Sequence, residues 1–194
     1  MKYFILLLLT ILFTSCSGGG KYYYTHHLPS KGPTINIWID KEFGEQDSLS
    51  IADAVEQWNY SLNGQITLKI MDERFWMQNE IIERVMNGGG WLILKIDDKS
   101  AWVRGWKGYK VLAFADKVGG NRIFIVRDRI RRQEEVRGIA MHELGHLLGS
   151  NHLDDGLMSV PYSDKDSQCI DQKTVDAVAN FRNLNLKNLN HCFY

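Results

Sequence analysis

Residues 142–152 read His142-Glu143-Leu144-Gly145-His146-Leu147-Leu148-Gly149-Ser150-Asn151-His152. On a helix, histidines four apart project from one face, a turn from each other. Two neutral imidazoles so placed suit a zinc ion, held at about 2.0–2.1 Å. Glu143 follows the first of them and can stand beside the open position of the metal without ligating it. Gly149 tolerates the left-handed conformation that ends a helix, so the chain can bend there and bring back His152 as third ligand. Three protein ligands leave a fourth position for water, which is the arrangement of a catalytic rather than a closed structural zinc. The expected chemistry is peptide-bond hydrolysis by a zinc-activated water, with Glu143 as general base.

The flanking residues predict the helix that this geometry needs. From about residue 132 to 148, Val136, Ile139, Ala140, Met141, Leu144, Leu147 and Leu148 surround the axis almost completely. A helix apolar nearly all round is normally buried. Polar His142, Glu143 and His146 inside it therefore need a reason to be there.

Upstream, residues 34–40 (TINIWID) alternate as a strand. Asp47 or Ser48 offers a helix N-cap, and Ile51, Val55, Trp58 and Leu62 follow at helical spacing up to Asn63-Gly64. Ile66, Leu68 and Ile70 form a second strand, and residues 75–86 a short helix. Residues 91–96 (WLILKI) are a more fully apolar third strand, expected at the centre of the sheet. Residues 109–115 and 122–126 are a fourth and fifth strand, and residues 173–182 a last helix. The order implies an α/β (α+β) domain: one mixed, mostly parallel twisted sheet, a buried active-site helix and a C-terminal helix.

At the eleven-residue motif the sequence resembles the metzincins, zinc endopeptidases that share it together with a methionine-containing turn beneath the metal. Gly156-Leu157-Met158-Ser159 stands where that turn is expected, and the resemblance implies that Met158 is an apolar floor under the histidines. Over residues 34–181 the element order is most similar to the matrixin-like branch. That likeness implies an edge strand at Val111, Leu112, Ala113, Phe114 and Ala115 that pairs with extended peptide. It also implies a pocket wall at Pro161 and Tyr162. Two departures are visible: Leu153 follows the third histidine where matrixins usually have Ser, and Pro161 comes one residue later than usual after Met158. A cysteine-bearing inhibitory propeptide is not expected ahead of residue 34. Calcium is conceivable at turns but unsupported, since Asp154-Asp155 and Asp164/Asp166 lack the ligand spacing of an EF-hand.

The first 15 residues read as a signal peptide: Lys2, an apolar run over residues 3–13, then small residues. The run is too short to span a bilayer as a helix. Phe13-Thr14-Ser15-Cys16 resembles a bacterial lipoprotein cleavage box, which implies lipidation of Cys16 and anchorage at the cell envelope, with the outer membrane expected. The competing reading is ordinary cleavage and secretion. Residues 16–33 form a tether, with His26 and His27 too divergent to chelate alone, and residues 34–194 form the catalytic domain. In an oxidising compartment Cys169 and Cys192 can pair; two free buried thiols are the alternative.

The 194 residues carry 23 basic and 23 acidic side chains, so charge gives no case for a nucleic-acid partner or a charged membrane surface. Arg127, Arg129, Arg131 and Arg132 read as a solvated stretch. The six tryptophans are expected in core or cleft wall, Trp102 and Trp106 being the most exposed. Oligomeric state is not legible. Besides a peptidase, two functions fit the pattern: a zinc-containing binding or adhesion module without turnover, and a hydrolase of non-peptide amides. Intact Glu143 favours an enzyme, and an edge strand suited to peptide favours a peptidase.

Overall fold

The computed structural model describes residues 32–71, 79–104, 111–161 and 169–192. The expected signal peptide, Cys16, nearly all of the tether, Trp76, Trp106, Tyr162 and the Asp164/Asp166 pair lie outside the described residues. Five strands form one sheet: β1 (Thr34–Ile39), β2 (Thr67–Ile70), β3 (Trp91–Ile96), β4 (Ala113–Ala115) and β5 (Arg122–Val126). Their order is β2-β1-β3-β5-β4. The first four in that order are parallel, and β4 runs antiparallel to β5 at the edge. The helices are α1 (Glu45–Leu62), α2 (Asn79–Met86), the single turn α3 (Ala101–Arg104), α4 (Gln133–Leu148) and α5 (Gln172–Arg182).

Strand alternation sorts the core into two layers. Ile37, Ile39, Ile93, Ile123 and Ile125 face the larger layer, packed with α1, α4 and α5. Trp38, Leu92, Leu94 and Phe124 face the other side, where α2 contributes Ile81 and Val85. β3 is central and covered on both faces, which is why its sequence is apolar rather than alternating. Trp38, Trp58 and Trp91 are core residues, while Trp102 on α3 is 61% exposed. Among the described residues no helix is long and apolar enough to cross a membrane.

Helix α1 starts earlier than its capping residues suggest. Gly44 is the N-cap, so Asp47 falls inside the first turn. Its carboxylate is engaged elsewhere: Oδ2 accepts from Nε of Arg127 at 2.8 Å, tying α1 to the turn after β5. The helix stops where the sequence indicates, at Asn63 in the left-handed region. A buried bond from Trp58 Nε1 to the carbonyl of Met141 (2.9 Å) then fixes α1 against α4.

Candidate metal centre

Helix α4 carries His142, Glu143 and His146 in a stretch buried from Ile139 to Leu148. Each helical histidine is held through its Nδ1. His142 Nδ1 donates to the carbonyl of Leu157 at 2.7 Å, and His146 Nδ1 to that of Ser150 at 2.8 Å. A carbonyl can only accept, so both Nδ1 atoms carry the proton and both Nε2 atoms present a lone pair. Burial is the main cause that holds the His142 imidazole neutral, with repulsion from His146 second. Its pKa falls to about 4, against the opposing bond to Leu157. Burial also lowers the pKa values of His146 and His152.

Gly149 ends α4 with φ 115°, its N–H reaching the carbonyls of Gly145 and His146. A side chain there would be strained, and it would also meet the ring of Phe181, 2.0 Å from where a Cβ would stand. The chain then turns back through Ser150. Leu153 pairs with Ser159, and its N–H donates to the carbonyl of Met158. This return brings His152 to the helix, with its Nε2 3.2 Å from Nε2 of His146. One ligand atom from each of the three histidines lies within 4.8 Å of the others. Two ligands at about 2.05 Å on a tetrahedral ion would be about 3.3 Å apart, so the observed 3.2 Å suits zinc. Among the described residues this is the one group of His, Cys, Asp and Glu side chains that converges closely enough for a metal.

Met158 is fully buried and packs against α4. Its Sδ lies 2.5 Å from where a Cβ on Gly145 would stand, and Trp58 closes the same space at 3.4 Å. Gly145 is therefore the residue that lets the thioether approach α4. In the sequence it occupies a position any residue could fill.

Glu143 is 6% exposed. The backbone N–H of Ala115 donates to its carboxylate, while Oε2 is buried without a hydrogen-bond partner. Burial raises its pKa to about 8, opposed by the Ala115 bond. That bond follows from the register of β4. Asp116 N–H donates to Arg122, and Val126 N–H to Leu112, so residues 112, 114 and 116 face β5. The polar groups of Ala113 and Ala115 consequently point to the outer edge. Within the expected edge strand only Ala113, Phe114 and Ala115 are strand. Val111 and Leu112 precede it, the carbonyl of Val111 accepting from Arg129 Nη1 at 2.9 Å. Pro161 follows a cis peptide bond at the end of the Met158 segment. Cys169 and Cys192 are joined, with Cα atoms 6.0 Å apart.

Residues that the sequence reading passed over support the site from behind. Asp171 caps α5 and also bonds Leu157. Arg182 donates to the last carbonyls of α4, at Leu147 and Leu148. Gly119, in the β4–β5 turn, donates its N–H to the carbonyl of His146 at 2.8 Å. Only Asp171 had a local signal, an Asx residue just before a helix.

No protein-family model and no curated protein sequence matches the chain. Solved structures do. Metalloproteinase-II from Bacteroides fragilis superimposes with a TM-score of 0.50 at 18% identity, over 79% of this chain. This chain spans 56% of the length of that protein. Archaemetzincin from Methanopyrus kandleri superimposes with a TM-score of 0.50 at 14% identity, covering 78% of this chain and 96% of its own. The likeness is one of backbone architecture, in a five-stranded, mostly parallel sheet with its helices, and it establishes that the chain has a metzincin-like fold.

Proposed function

We propose that the chain is a zinc-dependent endopeptidase of the metzincin type, matrixin-like in plan, with His142, His146 and His152 as ligands and Glu143 as general base. The observation that carries this reading is the pairing of three converging imidazoles with a buried carboxylate oxygen that has no partner. A structural zinc site would need no such carboxylate. The ion, when bound, would supply a Lewis acid for the scissile carbonyl and a water of lowered pKa.

The rest of the work belongs to the chain. Nδ1–H bonds to Leu157 and Ser150 keep the His142 and His146 rings oriented. Glu143 is oriented by the Ala115 N–H, and its Oε2 takes up a proton and hands it to the leaving amine. A peptide in extended form adds to the outer edge of β4, bonding the backbone of Ala113 and the carbonyl of Ala115. Pro161 belongs to the wall of the pocket for a substrate side chain, the role that the matrixin likeness implies for it. Cys16 is lipidated after export and holds the domain at the bacterial envelope.

Metal analysis and peptide hydrolysis on purified protein test the reading. One zinc per chain and cleavage that stops with a chelator and returns with zinc are expected. Zinc at one per chain with no cleavage across a broad peptide library would instead indicate a binding module.

A further inference from the structure

We infer that Asp171 is a positioning residue for His142, acting through Leu157. The inference rests on the reading of His142 as a metal ligand. The Asp171 carboxylate does more than its place in the chain requires. Asp171 is the N-cap of α5, and for that role one oxygen suffices: Oδ1 accepts from the Thr174 N–H at 2.9 Å. The second oxygen, Oδ2, accepts from the Thr174 hydroxyl and from the backbone N–H of Leu157, each at 2.9 Å. Leu157 lies 14 residues earlier, in the segment that follows His152.

The same Leu157 accepts the Nδ1–H of His142 through its carbonyl. Its N–H and its C=O are thus both committed, one to α5 and one to the ligand ring. Leu157 is 1% exposed, so no solvent competes for either group. Fixing both ends of one residue fixes where its carbonyl points, and the carbonyl fixes the tilt of the His142 ring and the atom that carries the proton. Asp171 is itself braced. The carbonyl of neighbouring Ile170 accepts from the Cys192 N–H at 3.1 Å, and Cys192 is joined to Cys169. Gly156 allows the contact, since a Cβ there would lie 2.4 Å from Oδ2 of Asp171. His146 is held independently by Ser150, so the effect should be confined to one ligand.

Asp171→Ser separates this role from helix capping. Serine still caps Thr174 but is too short to reach Leu157 as well. Zinc affinity by chelator competition and the visible bands of the cobalt-substituted protein are the readouts. Asp171→Ser should bind zinc about 10–100-fold more weakly and shift the cobalt bands. Thr174→Ala, which leaves the Leu157 bond intact, should change neither. If Asp171→Ser does not fold, the isosteric Asp171→Asn replaces it, with its cap retained and its amide nitrogen turned to the Leu157 N–H. A folded variant that matches the parent in affinity and bands would overturn the positioning role. A parent that binds no zinc at all would instead defeat the ligand assignment beneath it.

Discussion

The two halves of the candidate metal centre are built differently. His142 and His146 lie on a buried helix, and each ring is pinned by a backbone carbonyl before any metal arrives. His152 lies on the returning loop, is exposed, and meets the site through its 3.2 Å approach to His146. The helix half is preorganised by folding, because its rings are part of the core. The loop half is oriented chiefly by where Gly149 sends the chain. A metal should therefore find two ligands waiting and draw the third to itself.

Breaking the chemistry without touching either half should give the largest effect. Glu143→Gln keeps all three imidazoles, so zinc content should stay at one per chain while peptide hydrolysis falls by about 10²–10⁴-fold. Steady-state kinetics with parallel metal analysis measure both. An undiminished rate would remove Glu143 from the mechanism.

Packing behind the helix half comes next. Gly145→Ala drives a methyl group into the Met158 sulfur and toward Trp58, and should cost about 1–3 kcal/mol in denaturant unfolding of the metal-free protein. A neutral result would mean that Met158 can move aside and is not a fixed floor.

The pH response sharpens the same contrast, because burial sets opposite slopes for two neighbours on α4. His142 has a pKa of about 4 when folded against 6.5 as its ordinary value. Its contribution to stability is complete above pH 6.5 and is lost as pH falls toward 4. Glu143 has a pKa of about 8 against 4.5, so its contribution is complete below pH 4.5 and is lost as pH rises toward 8. Metal-free Glu143→Gln lacks the second slope only. Its Tm should therefore gain on the parent between pH 5 and pH 8 in calorimetric scans, and parallel Tm profiles would contradict this.

The smallest stability change belongs to the loop half. His152→Ala should alter metal-free stability by no more than about 0.5 kcal/mol, as expected for an exposed side chain, while zinc affinity drops sharply. A large loss of metal-free stability would mean that His152 is structural and that the contrast between the halves is wrong.

The sequence made the helix half plain and left much of its support hidden. Residues 132–148 announce a buried helix because apolar side chains surround polar ones that only a metal site would justify. The observed helix is Gln133–Leu148. The central place of residues 91–96 was equally legible, since a strand covered on both faces needs no alternation. Asp47 misled as a cap, because its partner Arg127 lies 80 residues away and no local pattern announces it. Gly145, and the second role of Asp171 beyond its cap, are hidden for the same reason. Gly145 matters through Met158, and Asp171 through Leu157, contacts that exist only once the turn after His152 has folded back. Helix α3 is a single turn, too short for periodicity to show.

X-ray absorption at the zinc edge, on the parent and on His152→Ala, reads the ligand set itself. Three imidazole nitrogens and one further light ligand at about 2.0–2.1 Å are expected in the parent, and one imidazole fewer in the variant. A spectrum with sulfur ligands, or one that His152→Ala leaves unchanged, would contradict the three-histidine set.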